Sequence, residues 1–206
     1  MEVYIGIDYS MTSPAMTIKN STHTMMMALS KNDKLVKSEL EGNFLDGTGF
    51  MVAFRPYPEY ETSVERFNSI GDIFSETIGF YRDMYPLHKI NIAMEGYSYG
   101  SSSSSTVEIG ENGGVLKNKL FKRYNLVPEI IAPTSLKKHA TGNGKAEKKD
   151  MHQSFLELTG IDLSNELKRS MNTSPVSDLV DSFWIAHWIQ DQYMNSNESK
   201  SNLEEI

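Results

Sequence analysis

Alternation of apolar and polar positions opens the chain. Val3, Ile5 and Ile7 share one side, so residues 2–8 read as a strand ending on Asp8. Gly6 within it lets another backbone or a ligand come close. After a turn-rich stretch, Met16-Thr17-Ile18 begins a second strand. Residues 23–29 and 50–54 are two more strand-like runs. The polar, glycine-bearing stretch between them predicts a β-meander with a long, mobile connection. The period then changes. Val64, Phe67, Ile70, Phe74, Ile78 and Tyr81 recur at helical spacing, which predicts a long helix over 61–85 that Pro86 stops. Ile90, Ile92 and Met94 alternate in a strand over 89–95 that ends on Glu95. Next come a helix over 106–124, a strand over 127–131, a short helix opening at Pro133 and a helix over 146–158. Gly113-Gly114 inside the first of these helices costs about 2 kcal/mol against alanine. The pair therefore points to close approach by another helix, a second subunit or a ligand.

A polar linker over 160–173 leads to a last, strongly apolar helix beginning near Val176. Asp178 and Asp181 lie about one turn apart on one of its faces, with Ser182, Ile185 and Ile189. Leu179, Val180, Phe183 and Trp184 spread around the rest, so the helix must be buried on several sides. Two carboxylates there are costly unless something positive sits between them. No Lys or Arg occurs over 175–193 to neutralise them, whereas a divalent metal would. The alternative is a polar first turn with both acids favoured by the helix dipole. Residues 1–194 read as one domain, and the polar stretch 195–206 as a disordered tail.

With 206 residues the chain can build one full core. It has no cysteine, hence no disulfide framework and no thiolate metal site. No apolar run is long enough to span a membrane, and the N-terminus lacks a signal-peptide pattern. A soluble protein of the cytoplasm is expected. Net charge is −7, but it is unevenly spread. Residues 117–149 carry nine basic side chains against Glu129 and Glu147, a balance of +7 that leaves −14 elsewhere. A basic middle on an acidic body can hold a polyanion locally; a solvated helical face gives the same count.

Asp8 and Glu95 both end strands, where sites form at the mouth of a sheet. Either acid can also simply cap a turn. Tyr97 and Tyr99, just past Glu95, can stack on bases or pack at the strand end. In 141–149, Gly142, Gly144 and a helix start present backbone N–H groups with Lys145 and Lys148 in reach, a pattern that can hold phosphates. It lacks the ending of a Walker A loop. His187 lies roughly opposite Asp178 on the helix and reads as structural. His139 and His152 sit among lysines and read as touching phosphate or solvent rather than metal.

Five pieces occur in a telling order: Ile5-Gly6-Ile7-Asp8, Ala93-Met94-Glu95, Ala132-Pro133-Thr134-Ser135-Leu136-Lys137-Lys138, the stretch from Thr141 to Lys148, and the run from Asp178 to His187. Together they resemble the RuvC family of Holliday-junction resolvases, in the ribonuclease H-like superfamily. Tyr9-Ser10 stands where members usually have Pro-Gly, and Ser10-Met11-Thr12-Ser13 looks more like virus-encoded members. Ser98 stands where the family often has a junction-inserting aromatic. The resemblance implies an α/β fold with a five-stranded mixed sheet, second strand antiparallel, flanked by helices. It also implies a homodimer, and a two-metal nuclease that nicks four-way DNA junctions. Asp8, Glu95, Asp178 and Asp181 would hold two Mg²⁺ ions, for which Mn²⁺ can substitute. Lys138, Lys145 and Lys148 would line the DNA side.

The chemistry agrees with that expectation. Phosphodiester hydrolysis needs an in-line water and a stabilised leaving oxygen, and two Mg²⁺ ions about 3.5–4 Å apart provide both. Asp8 is expected to bridge the ions, with lysines of 137–149, Lys137 among them, holding phosphates. The same acids would serve a nuclease acting on forks, flaps or RNA-containing duplexes. A junction-binding protein that does not cut predicts no metal-dependent nicking. An actin-like ATPase needs a second lobe that this chain is too short to supply.

Overall fold

A computed structural model describes residues 1–96 and 103–204, with side chains described for 1–96 and 107–195. The chain forms a three-layer α/β/α unit. Its sheet has seven strands, in the order β4-β5-β3-β2-β1-β6-β7. These are β1 (Glu2–Asp8), β2 (Ala15–Lys19), β3 (His23–Ser30), β4 (Glu39–Asn43), β5 (Gly49–Pro56), β6 (Lys89–Glu95) and β7 (Glu129–Ile131). The helices are α1 (Asp33–Val36), α2 (Ser63–Met84), α3 (Ser103–Tyr124), α4 (Pro133–Thr141), α5 (Lys148–Thr159), α6 (Leu163–Glu166) and α7 (Val176–Glu204). Among the described residues no helix is long and apolar enough to cross a membrane.

Strand alternation decides which layer each side chain joins. Val3, Ile5 and Ile7 of β1 and Ile92 and Met94 of β6 pack with Ile70, Phe74 and Ile78 of α2 and Leu116 and Leu120 of α3. The opposite face gathers Tyr4 and Ala93 with Leu136 of α4, Phe155 of α5 and Leu179, Phe183 and Ile185 of α7. Asp8 and Glu95 share the parity of Tyr4 and Ala93, so they belong to the α7 face. β1 pairs antiparallel with β2 and parallel with β6, and Ile7 lies beside Met94. Asp8 and Glu95 thus leave neighbouring strands side by side.

Three expectations change. The sheet has seven strands rather than five. The stretch between β3 and β5 is not a bare connection. It holds α1, capped by the Asn32 side chain, and β4, an edge strand antiparallel to β5. β3 and β5 are therefore parallel rather than meander neighbours. Four of the five β4 residues are exposed, so its polar sequence carries no apolar alternation to betray it. Finally, α7 continues to Glu204 through the polar stretch expected as a disordered tail. No glycine or proline interrupts it after Pro175.

Candidate active site

Gly6 sets the depth at which α7 lies on the sheet. A Cβ there would sit 2.2 Å from the Ala186 backbone N and 2.3 Å from the Ser182 carbonyl O. Backbone meets backbone, and only glycine permits it. Beside this contact the buried hydroxyls of Thr17 and Ser182 hydrogen-bond at 2.8 Å, tying β2 to α7. The first turn of α7 is thereby held over the end of β1, and Asp178 and Asp181 are carried to Asp8.

Asp8 and Asp178 are buried, while Glu95 and Asp181 keep partial solvent access. Asp8 is driven well above the usual carboxylate range by burial, then by the charges of Asp178, Asp181 and Glu95, and it hydrogen-bonds Asp178. Asp181 is pushed up to about 7 by burial and the charge of Glu95, against the opposing pull of Lys148. Burial raises Glu95, countered by the ammonium groups of Lys137 and Lys148. Burial also raises Asp178; hydrogen bonds with Ser174, Asp8 and Ser10 and the charge of Lys148 oppose it. Lys148 in turn donates to the Ser177 hydroxyl at 3.0 Å. A cavity of about 250 Å³ opens beside these acids, lined by Asp8, Ser10, Glu95, Gly96, Ile109 and Gly113.

The four acids come from three distant parts of the chain and lie within electrostatic reach of one another. The donor set fits a hard divalent cation: four carboxylates, mutually repelling and short of positive charge. The Oδ2 of Asp178 is buried without a hydrogen-bond partner, an acceptor facing no donor. The four are more widely set than a single closed cage. Among the described residues, the group that brings three ligand atoms within 4.8 Å of one another is His139, His187 and Asp191, not these acids.

The predicted DNA-contacting residues divide. Lys137 and Lys148 act electrostatically on the acids. Lys138 and Lys145 are exposed on the same α4–α5 region. Several amides of the expected phosphate cradle are already engaged within the fold. The Gly142 N–H donates to the Lys138 carbonyl at 2.8 Å, closing α4 with Gly142 at φ 77°. Gly144 packs close to the Thr134 carbonyl, and the Lys145 amide donates to Asn143. Helix α5 starts at Lys148, with Asp150 accepting from the Glu147 amide, so its first turn is already supplied with carboxylates. Tyr97 and Tyr99 lie outside the described residues. His139 packs edge-on to Trp184 and hydrogen-bonds His187, and His152 is buried 3.5 Å from Asp162. Neither histidine matches the expected phosphate or solvent contact. Ser10 and Ser174, which hold Asp178, were not anticipated. Ser10 follows Asp8 by two residues, and that spacing was the available signal.

Gly113 lines the cavity beside Asp8 and Glu95, whereas Gly114 faces open space. Gly113 thus leaves room at the cavity, while no neighbour comes close to Gly114.

Comparison with known proteins agrees with this architecture. No protein-family model matches the chain. It is 28% identical over 93 residues to the crossover junction endodeoxyribonuclease RuvC of Helicobacter pylori (strain Shi470). That match takes in 45% of this chain and 56% of the relative, so the chain spans about half the length of the curated relative it matches. The fold is that of RuvC. The Thermus thermophilus RuvC structure superposes with a TM-score of 0.54 at 17% identity, covering 93% of this chain and 96% of that one. The T. thermophilus RuvC in complex with a Holliday junction substrate gives 0.56 at 17% identity, covering 94% and 96%. The resemblance to RuvC is thus met both in sequence and in fold.

Proposed function

We propose that this chain is a RuvC-type, metal-dependent endonuclease that nicks branched DNA and resolves four-way junctions by phosphodiester hydrolysis. One observation carries the reading. Asp8, Glu95, Asp178 and Asp181 meet at the end of β1 and β6 with repulsion that only protons or cations relieve, in a fold shared with RuvC. The wide setting of the acids suits two ions, each keeping waters, better than one fully caged ion. Asp8 is central, since the other three all act on it; it would be shared between the ions, with Glu95, Asp178 and Asp181 completing the two sets. Bound Mg²⁺, or Mn²⁺ in its place, supplies an activated water and charge stabilisation for the leaving oxygen.

The chain's own groups do the rest. Ser10 and Ser174 fix the Asp178 carboxylate. Lys137 and Lys148 flank the acids and would hold the scissile phosphate and its neighbour, with Lys138 and Lys145 farther along the strand path. Gly6 keeps α7 at the depth that brings the acids together. Two nicks on opposite strands call for two copies of the site, so the active form would be a homodimer. On this reading it would act in the cytoplasm, or in the host's for a virus-encoded chain.

The test is cleavage of a labelled synthetic four-way junction, with forks, flaps and RNA–DNA hybrids as controls, with Mg²⁺ and with chelator. Mg²⁺-dependent paired nicks in the junction, faster than in any control, are expected. Binding without nicking, or preference for the hybrid, would replace this reading by a junction-capping protein or a ribonuclease.

A further inference from the structure

About two turns along α7 from the acids, a second set of ligand atoms converges. His187 and Asp191 stand one turn apart on α7, and His139 reaches across from α4. The His139 Nε2 and His187 Nδ1 atoms are 3.1 Å apart. The Asp191 Oδ2 lies 3.7 Å from His187 Nδ1 and 3.9 Å from His139 Nε2. A tetrahedral zinc ion, about 2.0–2.1 Å from each ligand, sets its ligands roughly 3.3 Å apart. The triangle brackets that value. The Asp191 carboxylate is 40% exposed, so it is free to turn inward by the few tenths of an ångström required.

We propose that His139, His187 and Asp191 form a binding site for a borderline transition-metal cation of the zinc class, separate from the carboxylate site. Two imidazoles and one carboxylate suit Zn²⁺, Co²⁺ or Ni²⁺ and are poor for Mg²⁺, which demands oxygen. Asp191 is the most exposed of the three, so water would complete the set from that side. Burial lowers the basicity of both imidazoles, most at His187, so each keeps a lone pair at neutral pH. Lys19 faces His187 and opposes a cation; its own basicity is lowered by burial, and its ammonium lies 5.5 Å from the centre of the Phe183 ring. Trp184 closes the remaining side against His139. The ion would pin α4 to α7 and with it Lys137, which acts on Glu95 and Asp181. The site would therefore clamp the element that carries Lys137 and Lys138.

Co²⁺ tests this in the metal-free full chain, titrated in excess Mg²⁺ so that the carboxylate site is occupied. One Co²⁺ per chain is expected, with the stronger visible bands of low-coordinate Co²⁺, displaced by Zn²⁺. Those bands disappear in His187→Ala and in His139→Ala, and Asp191→Asn weakens binding at least about tenfold. Asp178→Asn keeps them, which separates this site from the nuclease reading. His139→Gln serves if an alanine variant does not fold. No bands at saturating Co²⁺, unchanged binding in the folded histidine variants, or loss in Asp178→Asn each overturns the proposal.

Discussion

Replacing Gly6 by alanine tests how the fold builds the site. The new methyl group would lie 2.2 Å from the Ala186 N and 2.3 Å from the Ser182 O, where ordinary contact is 3.4–4 Å. Neither neighbour is a flexible side-chain end, so α7 must withdraw from β1 by about 1 Å. Overpacking of this kind typically costs about 1–3 kcal/mol. Here the upper end is expected, because Leu179, Phe183 and Ile185 lose their seat with the helix. A displacement of about 1 Å at a catalytic group costs on the order of 100-fold in rate. Asp178 and Asp181 ride on α7 while Asp8 and Glu95 do not, so the loss falls on their mutual placement. Chemical denaturation gives the stability change. Junction nicking, measured well below the variant's melting temperature, gives the rate of folded protein. Gly114→Ala is the control: nothing lies within 4 Å of its Cβ position, and a helical glycine gains up to about 1 kcal/mol on becoming alanine. A Gly6→Ala protein within about 0.5 kcal/mol of wild type and fully active would refute the placement of α7 on β1.

The remaining predictions concern charge and hydrogen bonding. Asp181 is raised from 3.8 to about 7. The stability tied to its protonation is thus present below about pH 4 and lost as pH rises through 7. Without metal at pH 8, Asp181→Asn should exceed wild type by about 2–4 kcal/mol, allowing for the solvent access of Asp181. The gap closes toward pH 4, and Mg²⁺ should stabilise wild type more than the variant; a gap in thermal melts that stays the same from pH 4 to 8 would refute this. Lys148→Met removes a charge that lowers Asp181, Glu95 and Asp178. The acidic limb of the nicking pH profile should move upward, and junction binding should become less salt-sensitive, by about one unit in slope. Ser182→Ala strands the buried Thr17 hydroxyl, costing about 1–3 kcal/mol, whereas Thr17→Val leaves Ser182 donating to the Leu179 carbonyl at 2.9 Å and should cost less. The double variant should cost less than the sum, which a denaturation cycle measures.

Much of this was readable from residue order. Strand alternation placed Asp8 and Glu95 on the ends of strands, and Gly6 announced a close neighbour. What the chain could not reveal is non-local pairing. β4 is polar because it lies at the sheet edge, and the parallel register of β3 with β5 depends on a crossover that no local pattern records. The amides of Gly142 and Lys145 looked available because the sequence shows donors but not which acceptors take them; the Lys138 carbonyl and the Asn143 side chain do. His187 looked structural on its own helical wheel. Its partner His139 arrives from α4, which a wheel cannot show. Asp178 and Asp181 were legible because charge in an apolar helix is costly and so stands out.

The central claim is that carboxylates distant in sequence share divalent cations. Mn²⁺, which favours oxygen ligands over imidazole, reports this directly by electron paramagnetic resonance on the purified protein. Wild type should bind it, and Asp8→Asn and Asp178→Asn should each weaken binding at least about tenfold, although one residue lies on β1 and the other on α7. Equal Mn²⁺ affinity in wild type and both variants, with all three folded, would contradict the account.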